Sequence, residues 1–197
     1  HVKSSKFIKL KCLSVHIGSQ ISNYKPYEKM LKIIDKIIKK SNHKFEFIDL
    51  GGGMGISYEK NSKILNLKTY SYLVNKFVKK NKCKIIFEPG RSIIGNTAIL
   101  VSKIIYIKEN KNKNFVILDA AMNDLMRPAL YGAKHQIIPS IKNNKKINKV
   151  FEFVGPICES TDKFLTTSKF QNLREGDILL ICDVGAYGLS LGSNYNV

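Results

Sequence analysis

Residues 45–55 read Phe-Glu-Phe-Ile-Asp-Leu-Gly-Gly-Gly-Met-Gly, a short apolar run that ends in glycines. A run of this kind, bounded by turn residues, is typical of a buried strand. Residues 84–91, Lys-Ile-Ile-Phe-Glu-Pro-Gly-Arg, have the same form, and residues 12–19, Cys-Leu-Ser-Val-His-Ile-Gly-Ser, fit as an earlier strand of the set. The predicted strands cover residues 12–16, 45–50 and 84–87.

An amphipathic helix is predicted between each pair of these strands. The first covers residues 26–40, where apolar side chains recur at helical spacing and lysines take the opposite face. The second covers residues 69–80, with Thr69 as its N-cap. Alternating strands and helices indicate a parallel α/β arrangement, and in a barrel of this kind the carboxyl ends of the strands carry the active site.

After Arg91 the pattern changes. Runs rich in Ile, Val and Phe are separated by Gly, Asn and Lys turns, without amphipathic helices between them. This favours a second, mainly β domain, so we divide the chain into residues 1–95 and residues 96–197. The polar, basic stretch 141–149 is expected to be an exposed loop. The strands predicted in the second domain cover residues 98–108, 114–119, 150–154 and 177–183.

The net charge of +18 is spread along the chain, because the lysines are mixed with Asn and Ile and form no stripe. We interpret them as solvated faces and expect no nucleic-acid partner. No apolar run reaches the roughly 18 residues of a membrane span, and the first residues lack the apolar segment of a signal peptide, so a cytoplasmic protein without a membrane partner is expected. The four cysteines lack zinc-ligand spacing, which predicts no metal site.

The strand ends of the first domain hold candidates for anion and cofactor binding. Residues 51–55 could cradle a phosphate, but a tight turn from strand to helix explains these glycines equally well. Glu88 follows an apolar run, so it would pair with Arg91 or face the ring nitrogen of a cofactor, with Arg91 left for a carboxylate or phosphate. His16 would be a buried core residue or would stack on a planar ring, while Ser19 binds an anion.

Three stretches of the second domain combine polar and turn residues. They are residues 122–131 (Met-Asn-Asp-Leu-Met-Arg-Pro-Ala-Leu-Tyr), 155–160 (Gly-Pro-Ile-Cys-Glu-Ser) and 185–188 (Gly-Ala-Tyr-Gly). Cys158 follows a Gly-Pro turn and lies beside Glu159, unlike the other cysteines. Its thiol could donate a proton, although a buried bystander is the simpler interpretation when the cysteine is taken alone.

Taken together, these motifs resemble the diaminopimelate decarboxylases, in the order of that family and over nearly the whole chain. The first three motifs, His-Ile-Gly-Ser-Gln, Gly-Gly-Gly-Met-Gly and Glu-Pro-Gly-Arg, also occur in related ornithine and arginine decarboxylases. The stretch at 122–131 is the more specific part. The resemblance implies a partial (β/α)8 TIM-like barrel of the alanine racemase type followed by a mainly β C-terminal domain. It also implies a lyase that converts meso-2,6-diaminopimelate to L-lysine and CO2, the last step of lysine biosynthesis.

The resemblance further implies pyridoxal 5'-phosphate as the cofactor and assigns residues to it. His16 would stack on the pyridine ring and Glu88 would pair with the ring nitrogen. The phosphate would be held by Ser19, Gly53, Gly90 and Arg91, and Tyr187 would contact the cofactor.

The same resemblance assigns the substrate contacts and the catalytic residue. Cys158 would protonate the α-carbon after decarboxylation. A homodimer with shared active sites is implied, because the family contributes the cysteine segment across its dimer interface. The substrate would be bound by Arg91, Arg127, Tyr131, Glu159 and Tyr187.

The family's cofactor lysine lies in a Tyr-Ala-x-Lys-Ala-Asn-like motif, and the chain contains no match to it. We therefore expect a fragment that begins within the barrel, stops before the family's C-terminal end and is inactive alone. Three alternatives stay open: an arginine or ornithine decarboxylase of the same fold, a non-catalytic regulatory homologue, and a basic nucleic-acid-binding protein. Arg127 with Tyr131 argues against the first, since those substrates lack a distal carboxylate, and only the net charge favours the last.

Overall fold

The computed structural model describes residues 4–59, 62–143 and 146–196. These residues form two compact units, one within His1–Ser57 and Asn61–Ser92 and the other within Tyr58–Lys60 and Ile93–Val197. Each unit has its own cluster of buried apolar side chains. None of the helices in the described ranges has the length and apolarity that crossing a membrane requires.

The first unit contains a parallel sheet of three strands in the order β1-β2-β3. Helix α1 connects β1 to β2 and helix α2 connects β2 to β3, which confirms the predicted parallel α/β arrangement. The register places Cys12 beside Phe47 and Phe47 beside Lys84, so the three strands end at the same edge. The bounds are β1 Cys12–Ser14, α1 Lys25–Ser41, β2 Phe47–Asp49, α2 Leu67–Asn81 and β3 Lys84–Ile86.

The two helices bury their apolar faces in the first unit's core. Tyr27 of α1 and Tyr70 of α2 pack with ring centroids 4.5 Å apart, and both side chains are buried. The prediction of Thr69 as the N-cap of α2 is wrong. Asn66 is the N-cap, because its backbone is extended and its side-chain oxygen accepts the N–H of Thr69 at 3.0 Å.

The second unit is built on a six-stranded sheet with the order β6-β11-β4-β5-β8-β9. Neighbouring strands are antiparallel except β5 and β8, which run parallel. A short antiparallel pair, β10 and β7, lies outside this sheet. The elements after β3 are α3 Arg91–Ile94, β4 Leu100–Glu109, β5 Lys113–Leu118, α4 Arg127–Tyr131, β6 Ile137–Pro139, β7 Lys146–Ile147, β8 Val150–Val154, β9 Lys163–Thr167, β10 Phe170–Gln171, β11 Ile178–Ile181 and the 3-10 turn Leu189–Leu191.

Strands occur at the four places where the sequence predicts them in the second unit, as β4, β5, β8 and β11. The prediction that residues 141–149 form only a loop is wrong in part, because Lys146–Ile147 pairs with Phe170–Gln171; residues 144 and 145 lie outside the described residues. A strand of two residues is too short to produce a periodic pattern, so only its partner defines it. Helix α4 and strands β6 and β9 were not predicted either.

The sheet of the second unit contains one buried carboxylate between two lysines. Glu152 on β8 is buried, and its carboxylate contacts Lys113 of β5 and lies 2.7 Å from Nζ of Lys163 on β9. Burial acts to raise the pKa of Glu152, but hydrogen bonds from Lys113 and Lys163 outweigh it, and the pKa lies below its usual value. The ionised carboxylate therefore ties three strands together.

Replacing Glu152 with Gln should lower the free energy of unfolding by about 2 kcal/mol, because the two ammonium groups lose a charged acceptor. Since the pKa of Glu152 is lowered by folding, its contribution is present above the unfolded value of about 4.3 and is lost as the pH falls through the folded value. Urea unfolding of both proteins from pH 7 to pH 3 measures this. The control is Glu109→Gln, whose exposed carboxylate lies 3.8 Å from Lys149; equal effects of the two substitutions would contradict the prediction.

Candidate functional site

The loops that follow the three parallel strands lie against one another in the first unit. The N–H of Val15 donates to the carbonyl of Asp49 at 3.0 Å, and the N–H of Glu88 donates to the carbonyl of Gly51 at 2.9 Å. On the other side of the glycine run, the N–H of Ile21 donates to the carbonyl of Gly53 at 2.9 Å. The three sequence motifs of this unit are therefore joined by direct backbone hydrogen bonds.

The glycine run allows this approach because its neighbours occupy the space that side chains would need. A methyl group on Gly52 would overlap the carbonyl oxygen of Glu88, and one on Gly53 would overlap the carbonyl oxygen of Gly18. Gly53 also has a φ of +86°, which favours glycine. Helix α2 begins only at Leu67, so these glycines form no tight turn from strand to helix.

Helix α1 also forms a hydrogen bond to the glycine run. The hydroxyl of Tyr27 donates to the carbonyl of Gly52 at 3.1 Å, and the side chain is fully buried. Burial raises the pKa of Tyr27 to about 12, so the phenol stays protonated and keeps this hydrogen bond. The sequence identified Tyr27 only as part of the apolar face of the helix.

The polar candidates of the first unit lie at its surface. His16 is exposed, so its interpretation as a core histidine is wrong. Glu88 is exposed as well, so it carries no large desolvation cost that would require an ion pair. The guanidinium of Arg91 donates from Nη2 to Oγ of Ser19 at 3.2 Å. A hydroxyl and a guanidinium thus stand together beside the glycine run, and both can donate to an anion.

In the second unit, Arg127 belongs to a buried polar network that the sequence did not indicate. Its Nη1 lies 2.7 Å from Nε2 of His135, and Nδ1 of His135 lies 2.8 Å from the carbonyl oxygen of Cys182. A guanidinium only donates and a carbonyl only accepts, so the proton of this imidazole is on Nδ1. The Arg127 guanidinium also lies 4.5 Å from the ring centroid of Tyr58. Arg127 and His135 are both almost fully buried.

Two tyrosines predicted to bind ligands lie at the surface of the second unit. Tyr131, at the end of α4, is 66% exposed and Tyr187 is 45% exposed. Tyr187 has a φ of +60°, a left-handed conformation that costs a tyrosine free energy and is found at functional sites. Gly185 meets the carbonyl oxygen of Ile94 so closely that a methyl group there would overlap it. This packing fixes the turn that presents Tyr187.

Cys158 and Glu159 lie on a turn in which the carboxylate of Glu159 accepts several hydrogen bonds. Cys158 is exposed, so it is no buried bystander. Oε1 of Glu159 accepts the N–H of Thr161 at 3.4 Å and the hydroxyl of Ser160 at 3.2 Å, and Oε2 accepts the hydroxyl of Tyr195 at 3.4 Å. The N–H of Thr161 and the hydroxyl of Ser160 lower the pKa of Glu159, which keeps it ionised at neutral pH.

Asp162 is a further functional candidate that sequence reasoning missed. Its carboxylate is buried, and its oxygens accept the N–H of Met122 at 2.7 Å and the N–H of Ile157 at 2.8 Å. Burial raises the pKa of Asp162, although the two N–H donors act in the opposite direction. Asp162 links two of the motifs of this unit and His135 links one of them to the backbone at Cys182, which a local sequence pattern does not reveal.

Comparison with known proteins assigns the chain to a family. A family model described as pyridoxal-dependent decarboxylase, C-terminal sheet domain, matches residues 17–185. The chain belongs to this decarboxylase family. It is 40% identical to the diaminopimelate decarboxylase of Zymomonas mobilis over 196 residues, which cover 96% of the chain and 45% of that protein. This member of the pyridoxal-dependent decarboxylase family thus spans about half the length of the relatives it matches.

Solved structures of the same decarboxylase family share the fold of the chain. Diaminopimelate decarboxylase from Helicobacter pylori, complexed with L-lysine, has a TM-score of 0.86 and 38% identity, and the match covers 99% of this chain and 49% of that one. The enzyme from M. jannaschii, also in complex with L-lysine, has a TM-score of 0.90 and 35% identity, with 98% and 46% covered.

In this chain, Gly52→Ala should destabilise the first unit by about 1 to 3 kcal/mol, because the new methyl group overlaps the backbone of Glu88. Urea unfolding of both proteins measures the change. Ser92→Ala, at an exposed position nearby, is the control and should have little effect. Unchanged stability of Gly52→Ala would show that the two loops do not approach this closely.

His135→Phe in the same chain should lower the midpoint of thermal unfolding, because the ring volume is kept while Arg127 and the Cys182 carbonyl lose their partner. The expected cost is about 2 to 4 kcal/mol for two buried polar groups, one of them charged. Differential scanning calorimetry measures it, with Gln136→Ala at the neighbouring exposed position as the control. An unfolding midpoint equal to that of the control would refute the role of His135.

Proposed function

We propose that the protein carrying this chain decarboxylates meso-2,6-diaminopimelate to L-lysine and CO2 with pyridoxal 5'-phosphate. The observation that carries this proposal is the meeting of three motif loops at the strand ends of a chain 40% identical to a diaminopimelate decarboxylase. Because the chain spans 45% of that relative, the activity is proposed for the whole protein. Residues 1–95 would be the C-terminal part of a (β/α)8 barrel and residues 96–197 the β domain.

The first unit has a surface that fits the cofactor phosphate. The backbones of Gly53 and Gly18 lie close together, and the guanidinium of Arg91 donates to the hydroxyl of Ser19, the residue that follows Gly18. Phosphate binding in proteins uses donors of this kind. We assign the phosphate to Ser19, Gly53, Gly90 and Arg91.

Two exposed side chains of the first unit would orient the cofactor ring. The imidazole of His16 is free of core packing and would stack on the ring, while the carboxylate of Glu88 would hold a proton on the ring nitrogen. Pyridoxal phosphate, when bound, supplies an acceptor for the electron pair released with CO2. Tyr187 of the second unit would complete the cofactor contacts.

Residues of the second unit would recognise the amino acid. The ionised carboxylate of Glu159 suits a substrate ammonium group, and arginine suits a distal carboxylate. Arg127 is held by His135 in a fixed position, which preorganises its guanidinium. We assign substrate binding to Arg91, Arg127, Tyr131, Glu159 and Tyr187, and we propose an amino-acid substrate bound at shared sites of a homodimer.

Cys158 is the proposed proton donor. Its thiol is exposed and stands next to Glu159, so it can reach a bound amino acid without an opening of the core. It would deliver its proton from Sγ to the α-carbon after CO2 leaves. A related decarboxylase of arginine or ornithine is the alternative, and Arg127 with Tyr131 favours the substrate that carries a second carboxylate.

Incubation of the full-length protein with pyridoxal phosphate and meso-diaminopimelate should release CO2 and lysine, with ornithine and arginine giving little turnover. Cys158→Ala should lower kcat by about 100- to 10,000-fold, the usual contribution of a positioned proton donor. Cys12→Ala, on β1, is the matched control and should retain activity.

Different outcomes separate the alternatives. Preferred turnover of ornithine or arginine would assign the protein to a sister family of decarboxylases. Lysine formation that survives Cys158→Ala would remove the proton-donor role while keeping the substrate. An absence of cofactor absorbance in the full-length protein would favour a non-catalytic homologue.

A further inference from the structure

The segment that carries Cys158 is held by hydrogen bonds to one buried residue, Asp162. Asp162 is 3% exposed, and its Oδ2 accepts the N–H of Ile157 at 2.8 Å. Its backbone closes the same segment, because its carbonyl accepts the N–H of Gly155 at 3.1 Å and its N–H donates to the carbonyl of Glu159 at 3.0 Å. Three hydrogen bonds from one residue therefore define the path of residues 155–162.

The other oxygen of the carboxylate reaches a different motif. Oδ1 of Asp162 accepts the N–H of Met122 at 2.7 Å. The next residue, Asn123, donates from Nδ2 to the carbonyl of Tyr195 at 2.8 Å, and the Tyr195 hydroxyl lies 3.4 Å from Oε2 of Glu159. Asp162 is thus connected through Met122, Asn123 and Tyr195 to Glu159, the residue next to Cys158.

The neighbouring glycine makes room for this carboxylate. A methyl group on Gly155 would overlap both carboxylate oxygens of Asp162. An aspartate is required because its two oxygens accept one N–H each, whereas an asparagine in the same position offers one oxygen and one amide group. A buried carboxylate is costly, and here its role is to hold two loops at once.

We infer that Asp162 is a positioning residue that fixes the turn bearing Cys158 and Glu159. This inference rests on the proposed function, in which Cys158 donates a proton and Glu159 binds an ammonium group. Asp162 touches neither substrate nor cofactor in this assignment. It acts through the backbone of Ile157, one residue before the thiol that must point at the α-carbon.

The test uses Asp162→Asn in the full-length protein loaded with pyridoxal phosphate. If Asp162 acts through Cys158, the substitution lowers kcat about 10- to 100-fold in the wild-type background, as expected for a misplaced catalytic group. In a Cys158→Ala background it lowers the residual kcat less than about twofold, because the effects of coupled residues are not additive. A purely structural role would lower kcat equally in both backgrounds and would overturn the inference.

Amide hydrogen exchange gives a readout that does not depend on activity. Asp162→Asn should speed exchange at Ile157 or Met122 about 10- to 100-fold, since one of the two amides loses a charge-assisted hydrogen bond. The matched control is Asp124→Asn, which alters a carboxylate of the Met122 loop that accepts the N–H of Ala121 at 2.8 Å. Unchanged exchange at both Ile157 and Met122 would overturn the inference, as would equal effects at these amides from the control.

A second variant keeps the test valid if Asp162→Asn fails to fold. Gly155→Ala leaves the carboxylate present but displaces it, so it should reproduce the kcat loss and the faster exchange. Normal kcat and exchange in a folded Gly155→Ala protein would overturn the inference. If the wild-type protein forms no lysine from diaminopimelate, the proposed function fails, and exchange at Ile157 and Met122 alone decides whether Asp162 holds the two loops.

Discussion

The backbone of the glycine run at 51–53 lies directly against the loops on both sides of it, and the first unit depends on that close packing. Parallel strands bring three loops to one edge, but side chains on the central loop would keep them apart. Glycine removes that obstacle, and the carbonyl groups of Gly51 and Gly53 then accept hydrogen bonds from the outer two loops. Residues far apart in sequence, such as Ser19 and Arg91, consequently reach hydrogen-bonding distance.

In the second unit, buried polar side chains hold the motif loops together. Here side-chain hydrogen bonds between distant loops add to those of the backbone. Asp162 joins the loop of Met122 to the loop of Cys158, and His135 joins Arg127 to the backbone at Cys182. Each of these groups satisfies donors or acceptors that would otherwise be costly to bury. The buried polar residues of this unit therefore lie next to its candidate site residues.

Local patterns in the sequence predicted the strands and helices of the first unit because amphipathic periodicity and strand-ending glycines are local properties. The cap of α2 was missed because Thr69 and Asn66 both suit a helix start, and only the observed hydrogen bond distinguishes them. Strand β7 has no local signal, since two residues become a strand only through pairing with β10. His135 and Asp162 were missed for the same reason: their partners lie elsewhere in the chain, and an isolated His or Asp resembles any surface residue.

The parallel pairing of β5 and β8 in the six-stranded sheet affects the order in which the second unit can fold. Because β5 and β8 run in the same direction, the chain between them must cross over from one end of the sheet to the other. That crossover contains Arg127 and the loop of Met122. Antiparallel neighbours joined by short turns, such as β4 and β5, can form early, whereas the crossover loses much more chain entropy on closing. Arg127 and Tyr131, which lie in this crossover, should thus acquire their native arrangement late, after the β4–β5 hairpin has formed.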